Sequence, residues 1–181
     1  MATAERPWSA TFRLDDVPET GRHVELEASD EIRAALAAPA GVDAVEQLSA
    51  TFDLARRGRE GLHVRGEVRA KVRQMCVVTL EPIVNEIEEA IDVDFAPARD
   101  IAPAELGDEE THLMRAADEA EPMADGTVDL GLLATEFLIL GVDPYPRKQG
   151  VAFEVPKAAA DPVANRFAAL AGWKKNDTVK K

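Results

Sequence analysis

The alternation of hydrophobic and polar residues in the middle third of the chain predicts three neighbouring β-strands. From Val64 to Val72 the even positions are apolar or small, whereas the odd positions from Arg65 to Arg73 are charged. A period of two places alternate side chains on opposite faces, which predicts a half-buried strand. The same alternation precedes this run at Leu48, Ala50, Phe52 and Leu54, and follows it at Ile83, Ile87, Ile91, Val93 and Phe95. An antiparallel meander is the simplest arrangement of three such strands.

Shorter elements are predicted in the first third of the chain. The runs 8–14 and 23–27 are typical of strands, and residues 31–38 of a short helix. Ser29 or Asp30 can cap this helix, because either side-chain oxygen can accept a hydrogen bond from a first-turn N–H group.

A strongly apolar helix is predicted near residue 130. Asp129 can cap it, and Gly141 and Pro144 can end it. Its apolar face is predicted to consist of residues that recur at helical spacing, namely Leu130, Leu133, Phe137 and Leu140. This helix is hydrophobic enough to cover the apolar face of the sheet.

These elements predict an α+β fold. We expect an antiparallel β-meander sheet, curled toward a barrel, packed by the apolar C-terminal helix and the short N-terminal helix. Residues 1–156 are expected to form a single domain with an acidic loop at about 96–127, and residues 157–181 a flexible basic tail.

The net charge of −13 is concentrated in one segment. Residues 86–129 contain fifteen acidic side chains against two arginines, which accounts for the whole net charge. A polyanion such as RNA would be repelled by this segment, whereas a basic protein would be attracted. The segment is therefore either a sleeve for a basic protein or a solvating linker.

Residues 56–73 form a basic block that allows two interpretations. The charged face of the strand 64–72 could contact successive phosphates. Alternatively, if the following turn pairs Arg73 with Val84, the basic residues lie opposite acidic ones in cross-strand ion pairs. The expected pairs are Lys71 with Glu86, Arg69 with Glu88, and Arg65 with Asp92.

Arg56, Arg57 and Arg59 are expected to escape these ion pairs, since they fall in the predicted loop between two strands. They are the better candidates for a contact with RNA, although a solvated loop is the commoner explanation for such residues.

Two short segments are candidates for recognition. The first is the turn C-V-V-T-L-E-P, from Cys76 to Pro82. Pro82 biases Glu81 toward an extended conformation that points outward, while Leu80 can anchor the loop to the core. Cys76 is expected to be a small buried residue that packs the turn. The turn is either purely structural or a tip that contacts a partner.

The second segment is D-P-Y-P-R, formed by Asp143, Pro144, Tyr145, Pro146 and Arg147. Its prolines restrict the backbone and can present the tyrosine and the arginine to a partner. The aromatic ring could equally cover the end of the preceding helix.

Together these two segments resemble the signature of the YceD family, bacterial and plastid proteins linked to accumulation of large-subunit (23S) ribosomal RNA. The resemblance covers roughly residues 45–150 and departs from the common pattern at Thr79, where many relatives have a second cysteine. It implies a role in ribosome biogenesis, with a precursor of the large ribosomal subunit or a basic ribosomal protein as partner, and with a possible contact to rRNA.

Other classes of function find little support in the residues. Cys76 and three scattered histidines have no metal-ligand spacing, and no nucleophile, phosphate-loop or metalloprotease motif occurs. We therefore expect no metal, cofactor, small-molecule substrate or enzymatic activity. No apolar run reaches the length of a signal peptide or a membrane span, so we expect a soluble cytoplasmic protein with no membrane contact.

Overall fold

The computed structural model describes residues 7–97 and 120–152. The chain divides into two compact units, Met1–Gln149 and Gly150–Lys181, and all helices and strands given below belong to the first. Most of the predicted acidic loop and the predicted basic tail at 157–181 lie outside the described residues.

Seven strands and two α-helices are formed by the described residues, together with a 3-10 helix at Leu14–Asp16. The strands are β1 (Thr11–Arg13), β2 (Arg22–Glu27), β3 (Ala44–Arg57), β4 (Gly61–Met75), β5 (Pro82–Pro97), β6 (Glu121–Met123) and β7 (Thr127–Asp129). The α-helices are α1 (Asp30–Ala37) and α2 (Leu130–Gly141).

Five strands form the main sheet, in the order β2-β3-β4-β5-β6. The predicted meander of β3, β4 and β5 is confirmed, and its strands of 14, 15 and 16 residues are longer than most. The register is also as predicted, since Arg73 lies opposite Val84. An α+β fold with a mostly antiparallel sheet is therefore established.

The core forms on one face of this sheet because the period-two apolar positions of β3 and β4 share that face. Phe52 is fully buried and lies directly opposite Gly66. A Cβ atom at Gly66 would lie 2.2 Å from the carbonyl oxygen of Thr51 and 2.9 Å from the Phe52 ring. Glycine is therefore required at residue 66 so that the Phe52 ring can fold over the neighbouring strand.

The helix caps follow the sequence closely. Ser29 caps α1 by accepting a hydrogen bond from the Ile32 N–H at 3.4 Å. Asp129 caps α2 by accepting from the N–H groups of Gly131 and Leu132. Among the described residues, neither helix combines the length and the apolar character that crossing a bilayer requires.

The predicted apolar face of α2 is wrong at its C-terminal end. Leu130, Leu133 and Leu138 are buried, whereas Leu140 is 76% exposed. Helix α2 contacts β1, β4 and β5, and the buried leucines lie on the side of the helix that faces these strands. Leu140 points away from the strands. The spacing alone could not distinguish Leu140 from Leu138, since both continue an apolar run.

Two further expectations are not confirmed. In the described residues the main sheet is open, with β2 and β6 at its edges, so a barrel is not confirmed. The region predicted as loop up to residue 127 contains β6, which pairs in parallel with the end of β5. The strand β7 follows at once and pairs with β1 in a separate two-stranded sheet. Strands of three residues carry too little alternation to be recognised from sequence.

Candidate functional site at the junction of two loop segments

The turn between β4 and β5 is closed by its own backbone. The Cys76 N–H donates to the Glu81 carbonyl at 2.9 Å, and the Leu80 N–H donates to the Cys76 carbonyl at 2.9 Å. Leu80 has a φ of +56°, a left-handed conformation that costs a non-glycine residue conformational energy. These two hydrogen bonds close a compact loop, and the loop holds Leu80 in the left-handed conformation.

Cys76 is fully buried inside this turn, as predicted. Its sulfur accepts hydrogen bonds from the N–H groups of Thr79 at 3.5 Å and Lys148 at 3.3 Å. A hydrogen bond from the Thr79 side chain, followed by that from the Lys148 N–H, lowers the pKa of the Cys76 thiol to about 6. The cysteine therefore packs the turn as a hydrogen-bond acceptor for two segments of the chain.

The D-P-Y-P-R segment lies against the turn, although about 70 residues separate them in sequence. The Val77 N–H donates to the Pro146 carbonyl at 2.9 Å, and the Gln74 side-chain amide donates to the Asp143 carbonyl at 2.9 Å. The Lys148 ammonium forms an ion pair with Glu81 at 2.8 Å. We call this joined surface, residues 74–82 with 143–148, the motif junction.

Several side chains of the motif junction are exposed. Leu80 is 73% exposed, so the prediction that it anchors the loop to the core is wrong. Backbone hydrogen bonds close the turn, so the Leu80 side chain is not needed to hold it. Tyr145 is 70% exposed and does not cover the helix end, and Arg147 and Glu81 are exposed as well. Pro146 is buried, and its neighbours on either side face solvent.

The arginine trio does not belong to the motif junction. The hairpin that contains it joins β3 to the start of β4, at the opposite end of the 15-residue strand from Cys76. Arg56 and Arg57 lie in β3 and do not sit in the loop as predicted. Arg56 donates to the carbonyls of Val17 at 2.6 Å and Leu14 at 2.9 Å.

Arg57 also departs from the prediction, because it forms an ion pair with Asp94 across the sheet. Arg59 is exposed in the turn itself. The three guanidinium groups therefore do not act as one basic cluster, since two of them hold the fold together.

The charged face of β4 forms cross-strand ion pairs with β5, as the register argument predicted. The distances are 3.0 Å for Lys71–Glu86, 3.1 Å for Arg69–Glu88 and 3.1 Å for Arg65–Asp92. We refer to these three pairs as the ion-pair ladder. Its cations already have carboxylate partners, which disfavours a phosphate-binding role for this face.

The comparison with protein families bears directly on the motif junction. A model described as "Large ribosomal RNA subunit accumulation protein YceD" matches residues 64–174. The chain belongs to the YceD family. The match begins at β4, later than the resemblance suggested, and extends well beyond residue 150. It includes both segments of the motif junction and excludes the arginine trio. Comparisons with curated proteins and with solved structures gave no match.

Three residues that connect the YceD motif segments were missed by the sequence analysis. Gln74, Asn85 and Lys148 link β4, β5 and the segment after α2. Asn85 donates to the Gln74 side-chain oxygen at 2.8 Å, and Gln74 donates onward to Asp143. A signal existed for two of them, since Gln74 and Asn85 are polar residues at positions where the alternation calls for apolar ones.

Metal chemistry finds no geometric basis in the part of the chain that the structure describes. Within residues 7–97 and 120–152, no three His, Cys, Asp or Glu side chains converge as they would around a metal ion. Two histidines of the sheet instead lie beside carboxylates, His23 at 2.7 Å from Asp53 and His63 at 2.8 Å from Asp94. The hydrogen bond that the His23 ring donates to the Asp53 carboxylate raises the pKa of His23.

Proposed function

We propose that this protein is a cytoplasmic ribosome-assembly factor that supports the synthesis, processing or stability of 23S rRNA by non-catalytic binding. The observation that carries the proposal is the motif junction. Two sequence segments that resemble the family signature are held together by hydrogen bonds and present Leu80, Tyr145 and Arg147 to solvent.

A surface of this kind is suited to binding. The Gln74 and Cys76 side chains are buried and hold the Asp143–Lys148 segment from below, so that little conformational entropy is lost when a partner binds. An exposed tyrosine and an exposed arginine are residue types that often dominate the energy of protein interfaces. The partner that fits the family description is a precursor of the large ribosomal subunit.

A second candidate function is a chaperone for a basic ribosomal protein. The specific observation in its favour is the ion-pair ladder. Lys71, Arg69 and Arg65 are paired with carboxylates, so this strand face does not offer a row of unpaired cations to a polyanion. The chain as a whole has a net charge of −13. A protein of this charge favours a cationic partner over a polyanion.

Complementation of a strain that lacks the gene tests the proposed function. We expect loss of the gene to lower the ratio of large-subunit to small-subunit rRNA and the wild-type protein to restore it. A variant with Leu80→Ala, Tyr145→Ala and Arg147→Ala should fail to restore the ratio while being present at the wild-type level. Arg59→Ala, at the opposite end of β4, is the matched control and should restore it.

An unchanged rRNA ratio in the deletion strain would overturn the proposal. Capture of the tagged protein with and without ribonuclease then separates the two candidates. Large-subunit proteins and rRNA that are lost together on nuclease treatment support binding to precursor particles. One or two basic proteins that stay bound support the chaperone.

A further inference from the structure

The exposed apolar residues of the described chain are concentrated at one end of the molecule. In residues 7–97 and 120–152, the exposed large hydrophobic side chains are Met75, Val77, Leu80, Val84, Ile139, Leu140 and Tyr145. All of them belong to the β4–β5 turn and its flanks, to the C-terminal end of α2, or to the segment that follows it. Exposed apolar residues gathered in one place are typical of an interaction site.

A groove lies between these elements and the loop that follows α1. It is lined by Met75 at the end of β4, Val77 in the following turn, Ile139 near the end of α2, and Pro144 and Pro146 in the segment after α2. We call it the end groove. Ile139 is 40% exposed and lines the groove, whereas Leu140 is 76% exposed and does not.

The walls of the end groove are held in place by close packing. At the C-terminus of α2, a Cβ atom on Gly141 would lie 2.5 Å from the Ile87 side chain and 2.7 Å from that of Glu89. Only glycine therefore lets the helix end approach β5 this closely. The hydrogen bond from Gln74 to the Asp143 carbonyl holds the start of the segment after α2, which also lines the groove. The groove is thus preformed, as ligand grooves usually are.

The charged residues that line the end groove favour a cationic ligand. Of the described residues, the charged ones that line it are Asp43 and Asp143. Nearby cations are neutralised, because Lys148 is paired with Glu81 at 2.8 Å and Arg73 lies 3.7 Å from Glu46. Arg147 stands at the margin next to Pro146. An RNA strand would bring phosphates toward two carboxylates, and a second copy of this chain would bring two more carboxylates to the same place.

We propose that the end groove binds an amphipathic, lysine- or arginine-rich segment of a partner protein. Its apolar side chains occupy the groove between Val77 and Ile139, and its cations lie beside Asp43 and Asp143. This inference rests on the proposed function, since it names the partner chemistry of the same end of the molecule. A helix whose apolar face fills such a groove is a common mode of peptide recognition.

The test uses the full-length protein and two synthetic helical peptides of one pattern, one of leucine and lysine and the other of leucine and glutamate. We expect saturable binding of the leucine–lysine peptide by titration calorimetry. Ile139→Ala should weaken that binding about tenfold, as truncation of a central contact does. Leu140→Ala removes a neighbouring exposed leucine outside the groove and should leave the affinity unchanged. Asp43→Asn should weaken binding by a smaller factor, and more at low salt than at high salt.

Several results would overturn the inference. If neither Ile139→Ala nor Leu140→Ala weakened binding, the peptide would be attracted by net charge alone, and if both weakened it equally, the contact would not be confined to the groove. Equal binding of the leucine–glutamate peptide would refute the role of the two aspartates. Concentration-dependent self-association that Ile139→Ala abolishes would assign the groove to a second copy of the chain.

The two proposals fail separately. An rRNA ratio that depends on Tyr145 and Arg147 but not on Ile139 leaves the proposed function intact and removes the end groove from it. Peptide binding that depends on Ile139, in a protein whose deletion leaves rRNA unchanged, keeps the groove and overturns the function.

Discussion

Individual N–H groups in the motif junction converge on the sulfur of Cys76. Thr79 and Lys148 each donate to it, and neither would be within reach if the turn or the following segment moved away. The Thr79 side chain also hydrogen-bonds to the sulfur, which favours the thiolate over the protonated form.

A titration of Cys76 checks this arrangement. The thiolate absorbance in the ultraviolet should appear with a midpoint near pH 6, below the ordinary value of ~8.5 for cysteine. Thr79→Val removes the largest cause of the shift and should move the midpoint upward. The Cys76→Ser variant supplies the background spectrum, and a midpoint at the ordinary value in the wild-type protein would contradict the prediction.

The same shift has a consequence for stability. Because the folded pKa is lower than the unfolded one, the stabilising contribution is fully present above the unfolded value and is lost as the pH falls through about 6. The free energy of unfolding of the wild type relative to Cys76→Ser should therefore rise between pH ~6 and pH ~8.5. Chemical denaturation across this range measures it.

Leu80 carries backbone strain at an exposed position. With a φ of +56° and 73% exposure, it contributes little burial to offset the cost of the left-handed conformation. We expect Leu80→Gly to raise the free energy of unfolding by about 0.5–1 kcal/mol, measured by chemical denaturation. Asp125, with a φ of +50°, is the matched control. Replacement of Asp125 by glycine should raise the free energy of unfolding by less, since aspartate tolerates the left-handed conformation better than leucine does.

A loss of stability in Leu80→Gly would mean that the side chain packs on the turn after all. A gain in stability combined with failure to restore the rRNA ratio would indicate that Leu80 is retained for contact with a partner. Strained residues often persist at functional sites for this reason.

Among the elements, β4 and β5 are joined by charge as well as by their backbone ladder. The ion-pair ladder lies on the solvent face and sets the opposite charges of the two strands side by side. A slip of one residue would move every apolar side chain to the wrong face and would set cations of β4 opposite apolar residues of β5, for example Arg65 opposite Ile91 or Val93. The ladder therefore favours the observed register more than it adds to stability.

A double-mutant cycle on Lys71→Ala and Glu86→Ala measures this contribution. Since both side chains are largely exposed, we expect a coupling energy of about 0.2–1 kcal/mol that decreases with added salt. The control cycle combines Lys71→Ala with Glu25→Ala, whose residue lies on β2, two strands away. Its coupling should be close to zero, and a coupling as large as that of Lys71 with Glu86 would point to a long-range charge effect.

In the molecule as a whole, one buried polar side chain connects the sheet to the motif junction. Gln74 accepts from Asn85 on β5 and donates to the Asp143 carbonyl after α2, so its amide satisfies both neighbours away from solvent. Without it, the Asp143 carbonyl and the Asn85 amide would lose two part-buried hydrogen bonds.

Replacement of Gln74 by leucine should break the connection between β5 and the segment after α2. We expect a loss of about 1–3 kcal/mol in the free energy of unfolding, because two hydrogen bonds of about 0.5–1.5 kcal/mol each are removed. Amide hydrogen exchange at Val77, whose N–H donates to Pro146, should accelerate. Gln47→Leu, at an exposed position of β3, is the matched control and should change stability by less than ~0.5 kcal/mol. Equal losses in both variants would refute a special role for Gln74.

The sequence by itself determined the elements whose signals are local and repeated. Alternation over many residues identified β3, β4 and β5 with their buried faces, and the register assumed for the turn after Cys76 is the one observed. The caps at Ser29 and Asp129 were readable because a capping side chain bonds within its own first turn. Only the tertiary structure decided that α2 leaves Leu140 exposed, that Arg56 holds distant carbonyls, and that Gln74 and Cys76 join two segments about 70 residues apart. These contacts join residues that are far apart in sequence, and a local pattern carries no information about which distant segments pack together.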